Sequence, residues 1–151
     1  MENLKKTGIS TNCLINPKTN TDCFKKSVLI GLRQIHHSRK LTPSVKKSLE
    51  NSSELYHDFE PYLDWSAIPE NRETKMSEIR KFSKMNINIG IKILMVNNFG
   101  VKPRLREIFV SNKYQQNKHK IQLLGIKSGR FLHLCFINKV TTLLRTLGGV
   151  R

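Results

Sequence analysis

The spacing of apolar residues changes near the middle of the chain, and this change predicts the order of the elements. In the first half, apolar residues recur every three or four positions in "DCFKKSVLIGLRQI", which predicts a helix that starts near Asp22. Thr42 followed by Pro43 predicts the start of a second, short helix in "LTPSVKKSLEN", and "KMSEIRKFSKMN" predicts a third. The apolar face of the first helix consists of Phe24, Val28, Leu29, Leu32 and Ile35.

In the second half the spacing becomes two, which predicts strands. The residues Ile87, Ile89, Ile91 and Ile93 of "INIGIKILMV" share one face, and we expect them to be buried against the first helix. Three more strands are predicted in "LREIFVS", "HKIQLLGI" and "RFLHLCFIN". The predicted fold is therefore α+β, with N-terminal helices packed on a mostly antiparallel, four-stranded sheet that forms a meander.

The length of 151 residues suits one domain with one core. We expect a flexible tail over residues 1–10, a single globular domain over 11–147 and a tail over 148–151 at a truncation point. Residues 51–73 are acidic, aromatic and turn-rich, and predict an irregular connection whose rings pack over the core. Its aromatic residues are Tyr56, Phe59, Tyr62 and Trp65.

The composition argues against a membrane or secreted protein. The longest uncharged apolar runs are too short to cross a bilayer, and no apolar stretch follows the N-terminal lysines. The three cysteines, Cys13, Cys23 and Cys135, form no C-x-x-C pair, which disfavours a disulfide framework or a zinc site. We therefore expect an intracellular protein, nuclear or cytoplasmic, that needs no cofactor or metal.

The net charge of +16 is distributed unevenly along the chain. Residues 1–50 hold ten Lys or Arg against three acids, 51–100 hold six against seven, and 101–151 hold eleven against one. This charge predicts DNA as a partner through phosphate contacts, although a solubility charge combined with a codon bias is an alternative. The candidate phosphate-binding residues are Lys102, Arg104, Arg106, Lys113, Lys118, Lys120, Lys127 and Arg130.

An ordered set of segments resembles a module of Maverick/Polinton-type DNA transposons. The segments are "NTDCF", "KKSVLIGL", "YLDWSAIP", "SEIRKFSKMN" leading into "INIGIKIL", and "HKIQLLGI" with "RFLHLCFINKVTTLL". In those transposons the module lies upstream of zinc-finger-like and family B DNA polymerase regions. The resemblance, which covers about Cys13 to Leu147, implies association with a DNA polymerase or replication polypeptide. It also implies that the chain is a fragment, a truncated copy or a host-retained remnant.

The same resemblance implies a papain-like thiol-peptidase core with Cys23 as nucleophile and His133 as base. A thiolate at a helix N-terminus is favoured by the helix dipole, and a histidine on a neighbouring strand would accept and return its proton. The reaction would be acyl transfer at a peptide or isopeptide bond. Asn20 and Asn138 are the other candidate catalytic residues. Asn20 would orient an oxyanion hole, and Asn138 lies one place short of the Asn or Asp that members of the family often carry.

Departures from the family pattern leave other interpretations open. Leu134 stands where members carry an aromatic residue, Lys139 where they often carry Asn or Asp, and Lys26 where they carry tryptophan. Cys23 is alternatively a buried core residue, and His133 a strand histidine with a satisfied hydrogen bond. The alternatives to a cysteine peptidase-like hydrolase are a non-catalytic basic module that binds nucleic acid and a remnant without activity.

Overall fold

The computed structural model describes residues 13–18, 21–37, 41–97, 104–128 and 131–139. Their α+β class agrees with the expectation from the sequence. The expected tails over 1–10 and 148–151 lie outside the described residues. The elements in chain order are β1 (Leu14–Ile15), α1 (Cys23–His37), α2 (Pro43–Asn51), a 3₁₀ helix (His57–Tyr62), α3 (Met76–Met85), β2 (Ile89–Asn97), β3 (Arg104–Val110), a 3₁₀ turn (Tyr114–Gln116), β4 (His119–Ser128) and β5 (Phe131–Ile137).

The helices begin where the capping residues predict. In α1 the Lys26 N–H donates to the Asp22 carbonyl at 2.9 Å, so the helix starts directly after Asp22. In α2 the Thr42 hydroxyl accepts a hydrogen bond from the Val45 N–H at 3.2 Å. Pro43 stands at the start of that helix, where its missing N–H costs no hydrogen bond.

The sheet has five strands in the order β1-β5-β4-β2-β3. Strands β2 and β4 are parallel, with Ile91 opposite Ile121, and the other three pairs are antiparallel. The expected four-stranded antiparallel meander is therefore wrong in two respects. Strand β4 lies beside β2 rather than beside β3, and the short strand β1 adds a fifth member along β5.

The connection between β3 and β4 explains why the meander does not form. Residues 111–118 cross the start of β2, so β4 arrives on the other side of that strand. Ser111 fixes the crossing, since its N–H donates to the Ile91 carbonyl and its hydroxyl accepts from the Ile91 N–H, both at 2.9 Å. Tyr114 then lies against Gly90, where an added Cβ would stand 2.9 Å from the tyrosine ring. Glycine at position 90 thus makes room for the crossing.

One face of the sheet packs on α1, and we call it the helix face. Ile89, Ile91 and Ile93 are buried there, as the alternation predicts. Ile87 is 73% exposed because it lies in the turn before β2, so its expected burial is wrong. The helix face also holds Ile121, Leu123, Leu134 and Phe136, together with Phe24, Val28, Leu29 and Leu32 of α1.

The opposite face, which we call the far face, carries a second apolar cluster. Its buried members are Cys13, Leu14, Leu124, Ile126, Cys135 and Ile137. Successive residues of β4 and β5 therefore alternate between two covered faces. A shift of one residue in strand register would move every side chain of that strand to the opposite face. The register therefore decides which side chains of the candidate site lie on the same face.

The acidic connection packs over the core, as expected, with one exception. Tyr56 is buried, and the half-buried Trp65 ring lies 4.8 Å from the Phe82 ring. Tyr62 is 78% exposed and is the exception.

In the ranges that the structure describes, no helix is both long and apolar enough to span a membrane.

Candidate functional site

Cys23 is the first residue of α1 and is buried on the helix face. Its Sγ lies 3.9 Å from the Leu132 carbonyl oxygen of β5, and only 5% of the residue is exposed. Burial raises the pKa of the Cys23 thiol, and the neighbouring Asp22 carboxylate raises it further, while backbone hydrogen bonds offset only part of the effect. The side chain is therefore a protonated, poorly accessible thiol near neutral pH.

His133 points to the far face. Its neighbours Leu132 and Leu134 belong to the cluster that contacts α1, so the residue between them faces away from α1. The His133 Nε2 lies 2.5 Å from the Asn16 Oδ1, and the Cys135 Sγ donates to the same oxygen at 3.4 Å. Burial lowers the pKa of His133, so its imidazole is neutral and donates its Nε2–H to Asn16.

The structure therefore does not bring Cys23 and His133 together. The two residues lie on adjacent elements, as the resemblance implies, but the backbone of β5 separates the sulfur from the imidazole. A nucleophile and its base must come within hydrogen-bond reach, directly or through one water. The arrangement described here provides no path for proton transfer between these two side chains.

The side chain of Asn16, rather than that of Asn138, contacts the His133 imidazole. The Asn138 side chain accepts a hydrogen bond from Gln34 of α1 at 3.5 Å, and its N–H donates to the Cys13 carbonyl at 2.8 Å. It therefore joins β5 to α1 and β1 rather than orienting His133. Asn20, the expected oxyanion-hole residue, lies outside the described residues.

Asn16 connects three parts of the fold. Its backbone N–H donates to a Glu50 carboxylate oxygen at 2.9 Å, and its side-chain oxygen accepts from His133 and Cys135. Burial strongly raises the pKa of the Cys135 thiol, so this sulfur is also protonated. Asn16 could not be identified from the sequence, because nothing in the local pattern distinguishes an asparagine after a two-residue strand from a turn residue.

Asn16, Glu50, His133 and Cys135 form a hydrogen-bonded structural network rather than a metal centre. Buried polar groups require partners, and here each named group has one. Across the described ranges, no three His, Cys, Asp or Glu residues are grouped so that they could hold a metal ion.

The candidate phosphate-binding residues fall into two places. Lys113, Lys118 and Lys120 are exposed on the crossing from β3 to β4 and at the start of β4, and we call them the crossover lysines. The Lys120 Nζ lies 5.8 Å from the centre of the Tyr114 ring, and the Lys92 Nζ lies 4.8 Å from the same ring. Of the crossover lysines, Lys120 thus lies beside the buried Tyr114 ring, together with Lys92.

The second place lies at the other end of the sheet, on the helix face. Arg106 on β3 is paired with Met95 on β2, and Met95 is paired in turn with Gly125 on β4. Lys127 lies two residues after Gly125 on the same strand. Since a strand rises about 3.3 Å per residue, roughly 23 Å of β4 separates Lys120 from Lys127. Lys102, Arg130 and the side chain of Arg104 lie outside the described part of the chain.

Comparison of the chain with protein-family models, with curated proteins and with solved structures finds no match. The resemblance to the transposon module accordingly stays a prediction based on its five sequence segments.

Proposed function

We propose that the protein is a non-catalytic accessory module of a Maverick/Polinton-type transposon that binds DNA beside a family B DNA polymerase. In this proposal it has a degenerate papain-like, thiol-peptidase scaffold. The observation that carries the proposal is the orientation of Cys23 and His133 toward opposite faces of one sheet. A chain that lacks this dyad but keeps a net charge of +16 is better suited to binding than to acyl transfer.

The scaffold part of the proposal rests on how α1 meets the sheet. A helix that begins with Cys23 packs across β5, and the Ser27 hydroxyl, one turn later, donates to the Leu134 carbonyl at 3.0 Å. A cysteine at the start of a helix packed on a histidine-bearing strand is what the resemblance implies. The departure is the register of β5, which turns His133 away from the helix.

The binding part of the proposal rests on the crossover lysines. They are exposed on one segment, and a flexible ammonium group contacts a phosphate as a point charge without demanding a fixed geometry. Such contacts release counterions and carry no base readout. We therefore expect affinity for duplex DNA to fall steeply with salt and to depend little on sequence.

A charge-matched pair of variants tests this function. Lys118→Glu with Lys120→Glu, and Lys81→Glu with Lys84→Glu as the control, each replace two exposed lysines and so lower the net charge equally. By fluorescence anisotropy with labelled duplex DNA, we expect the crossover variant to bind about tenfold more weakly and to lose about two from its salt slope. The control on α3 should stay close to the parent chain.

Equal losses in the two double variants would mean that overall charge, not the crossover surface, attracts DNA. Affinity that does not change with salt would contradict phosphate contact altogether.

A further inference from the structure

A cavity of about 340 Å³ lies between the start of α1 and the acidic connection that follows α2. Its α1 wall consists of Asp22, Lys25, Lys26 and Leu29, which follow one another at helical spacing. The facing wall comes from residues 53–70. Neither Cys23 nor the crossover lysines line it, so it is a separate site.

The α1 wall carries two ammonium groups and the Asp22 carboxylate, and the facing wall carries the carboxylates of Glu60 and Glu70. Lys25 on the α1 wall already pairs with Glu60 on the facing wall at 3.2 Å, and its Nζ lies 5.3 Å from the centre of the Trp65 ring. Lys26 and Glu70 line opposite walls, and neither has an ion-pair partner among the residues described. The cavity thus offers one cation and one anion that no described residue pairs.

Tyr56 lines the same cavity. Only 2% of the residue is exposed. Burial, with help from the Asp22 carboxylate, raises the pKa of Tyr56 to about 12, so the hydroxyl is a neutral donor. A neutral hydroxyl that lines a cavity can donate a hydrogen bond to a ligand oxygen. Leu29, Ile68 and Pro69 supply apolar surface beside it.

We infer that this cavity binds a small zwitterion, namely an amino acid or a short peptide with free ends and an apolar side chain. Its carboxylate would lie at Lys26 and the Tyr56 hydroxyl, its ammonium at Glu70, and its side chain against Leu29 and Ile68.

Other ligand classes fit the cavity less well. The carboxylates of Asp22, Glu60 and Glu70 repel a polyanion, and the ammonium groups of Lys25 and Lys26 repel a simple cation. An uncharged ligand would leave Lys26 and Glu70 unpaired. The volume lies at the lower end of the range for small-molecule sites, which suits a dipeptide better than a nucleotide.

Thermal unfolding of the full chain with added peptides tests the inference. The dipeptide Gly-Leu should raise the melting temperature in a saturable way, because it binds only the folded state. N-acetyl-Gly-Leu lacks the ammonium and Gly-Leu amide lacks the carboxylate, so each should bind at least about tenfold more weakly.

Variants of the cavity complete the test. Lys26→Met, Glu70→Gln and Tyr56→Phe should each weaken Gly-Leu binding about tenfold, whereas Lys81→Met on α3 should leave it unchanged. No shift at millimolar Gly-Leu, equal affinity for the three peptides, or unchanged binding by the cavity variants would overturn the inference. The crossover variant should still bind Gly-Leu, because this site does not depend on DNA binding.

Discussion

Burial, rather than position at a helix end, decides the chemistry of Cys23. The helix N-terminus favours a thiolate by about 0.3–1 kcal/mol, and one pKa unit corresponds to about 1.4 kcal/mol. Burial destabilises the thiolate by more than the helix dipole stabilises it, and the Asp22 carboxylate destabilises the thiolate further. Free cysteines of this kind are inert, whereas reactive ones are partly exposed in electropositive surroundings.

We therefore expect Cys23 to react no faster with iodoacetamide than Cys13 or Cys135 in the native protein near neutral pH. All three thiols are buried, and burial raises the pKa of each. Mass spectrometry of the labelled peptides gives the three rates, and labelling in urea shows that each thiol reacts once exposed. Markedly faster native labelling of Cys23 would restore the nucleophile hypothesis.

The sequence located both residues of the expected dyad on the correct elements, but it left their faces open. In a strand buried on both sides, alternation does not say which side meets the helix. "FLHLCFI" is apolar at nearly every position, so His133 fits either face by pattern alone. Only the pairing of β5 with β1 and β4 fixes its direction.

Strand β2 was predictable in type because its isoleucines alternate with residues of a different kind. Gly90 and Lys92 separate the buried Ile89, Ile91 and Ile93, so one face is apolar and the other is not. The pairing of β2 was not predictable, since it depends on Gly90 receiving Tyr114 and on Ser111 bonding to Ile91. Local periodicity contains no information about such contacts between distant residues.

Substitutions on the two faces of β2 should lower the free energy of unfolding by different amounts. Ile91→Ala should lower the free energy of unfolding by about 2–5 kcal/mol, because it empties a fully buried aliphatic site. Lys92→Ala should lower it by about 1 kcal/mol or less, since it removes a 3.7 Å ion pair with Glu107 and a cation–π contact with Tyr114. Urea denaturation measures both values, and equal losses would contradict the assignment of the faces.

The stability of the whole molecule should depend on pH through His133. Burial lowers the pKa of this histidine in the folded state below its ordinary value of about 6.5, so the unfolded chain binds the proton more readily. The stability that neutral His133 contributes is complete above about pH 6.5 and is lost as the pH falls through the folded-state pKa. The melting temperature should therefore decrease on mild acidification.

The variant His133→Gln tests the source of this pH dependence. Glutamine retains an N–H for the Asn16 oxygen but does not titrate, so its melting temperature should decrease less with acid than that of the parent chain. The exposed His57→Gln serves as the control and should keep the parental slope. Identical slopes in the parent chain and His133→Gln would assign the pH dependence to other groups.

The pairing of β1 with β5 has a consequence for how the chain is made. Leu14 lies opposite Ile137, so the partner of the first described strand is among the last residues that a ribosome adds to this segment. At about 5–20 residues per second, Leu14 and Ile15 wait roughly 6–25 seconds before β5 has been synthesised. Both residues are buried in the finished molecule and have no β-partner during that interval. Nascent chains therefore carry β1 without its native partner while residues 16–135 are being synthesised, and the far face of the sheet closes only after β5 has emerged from the ribosome.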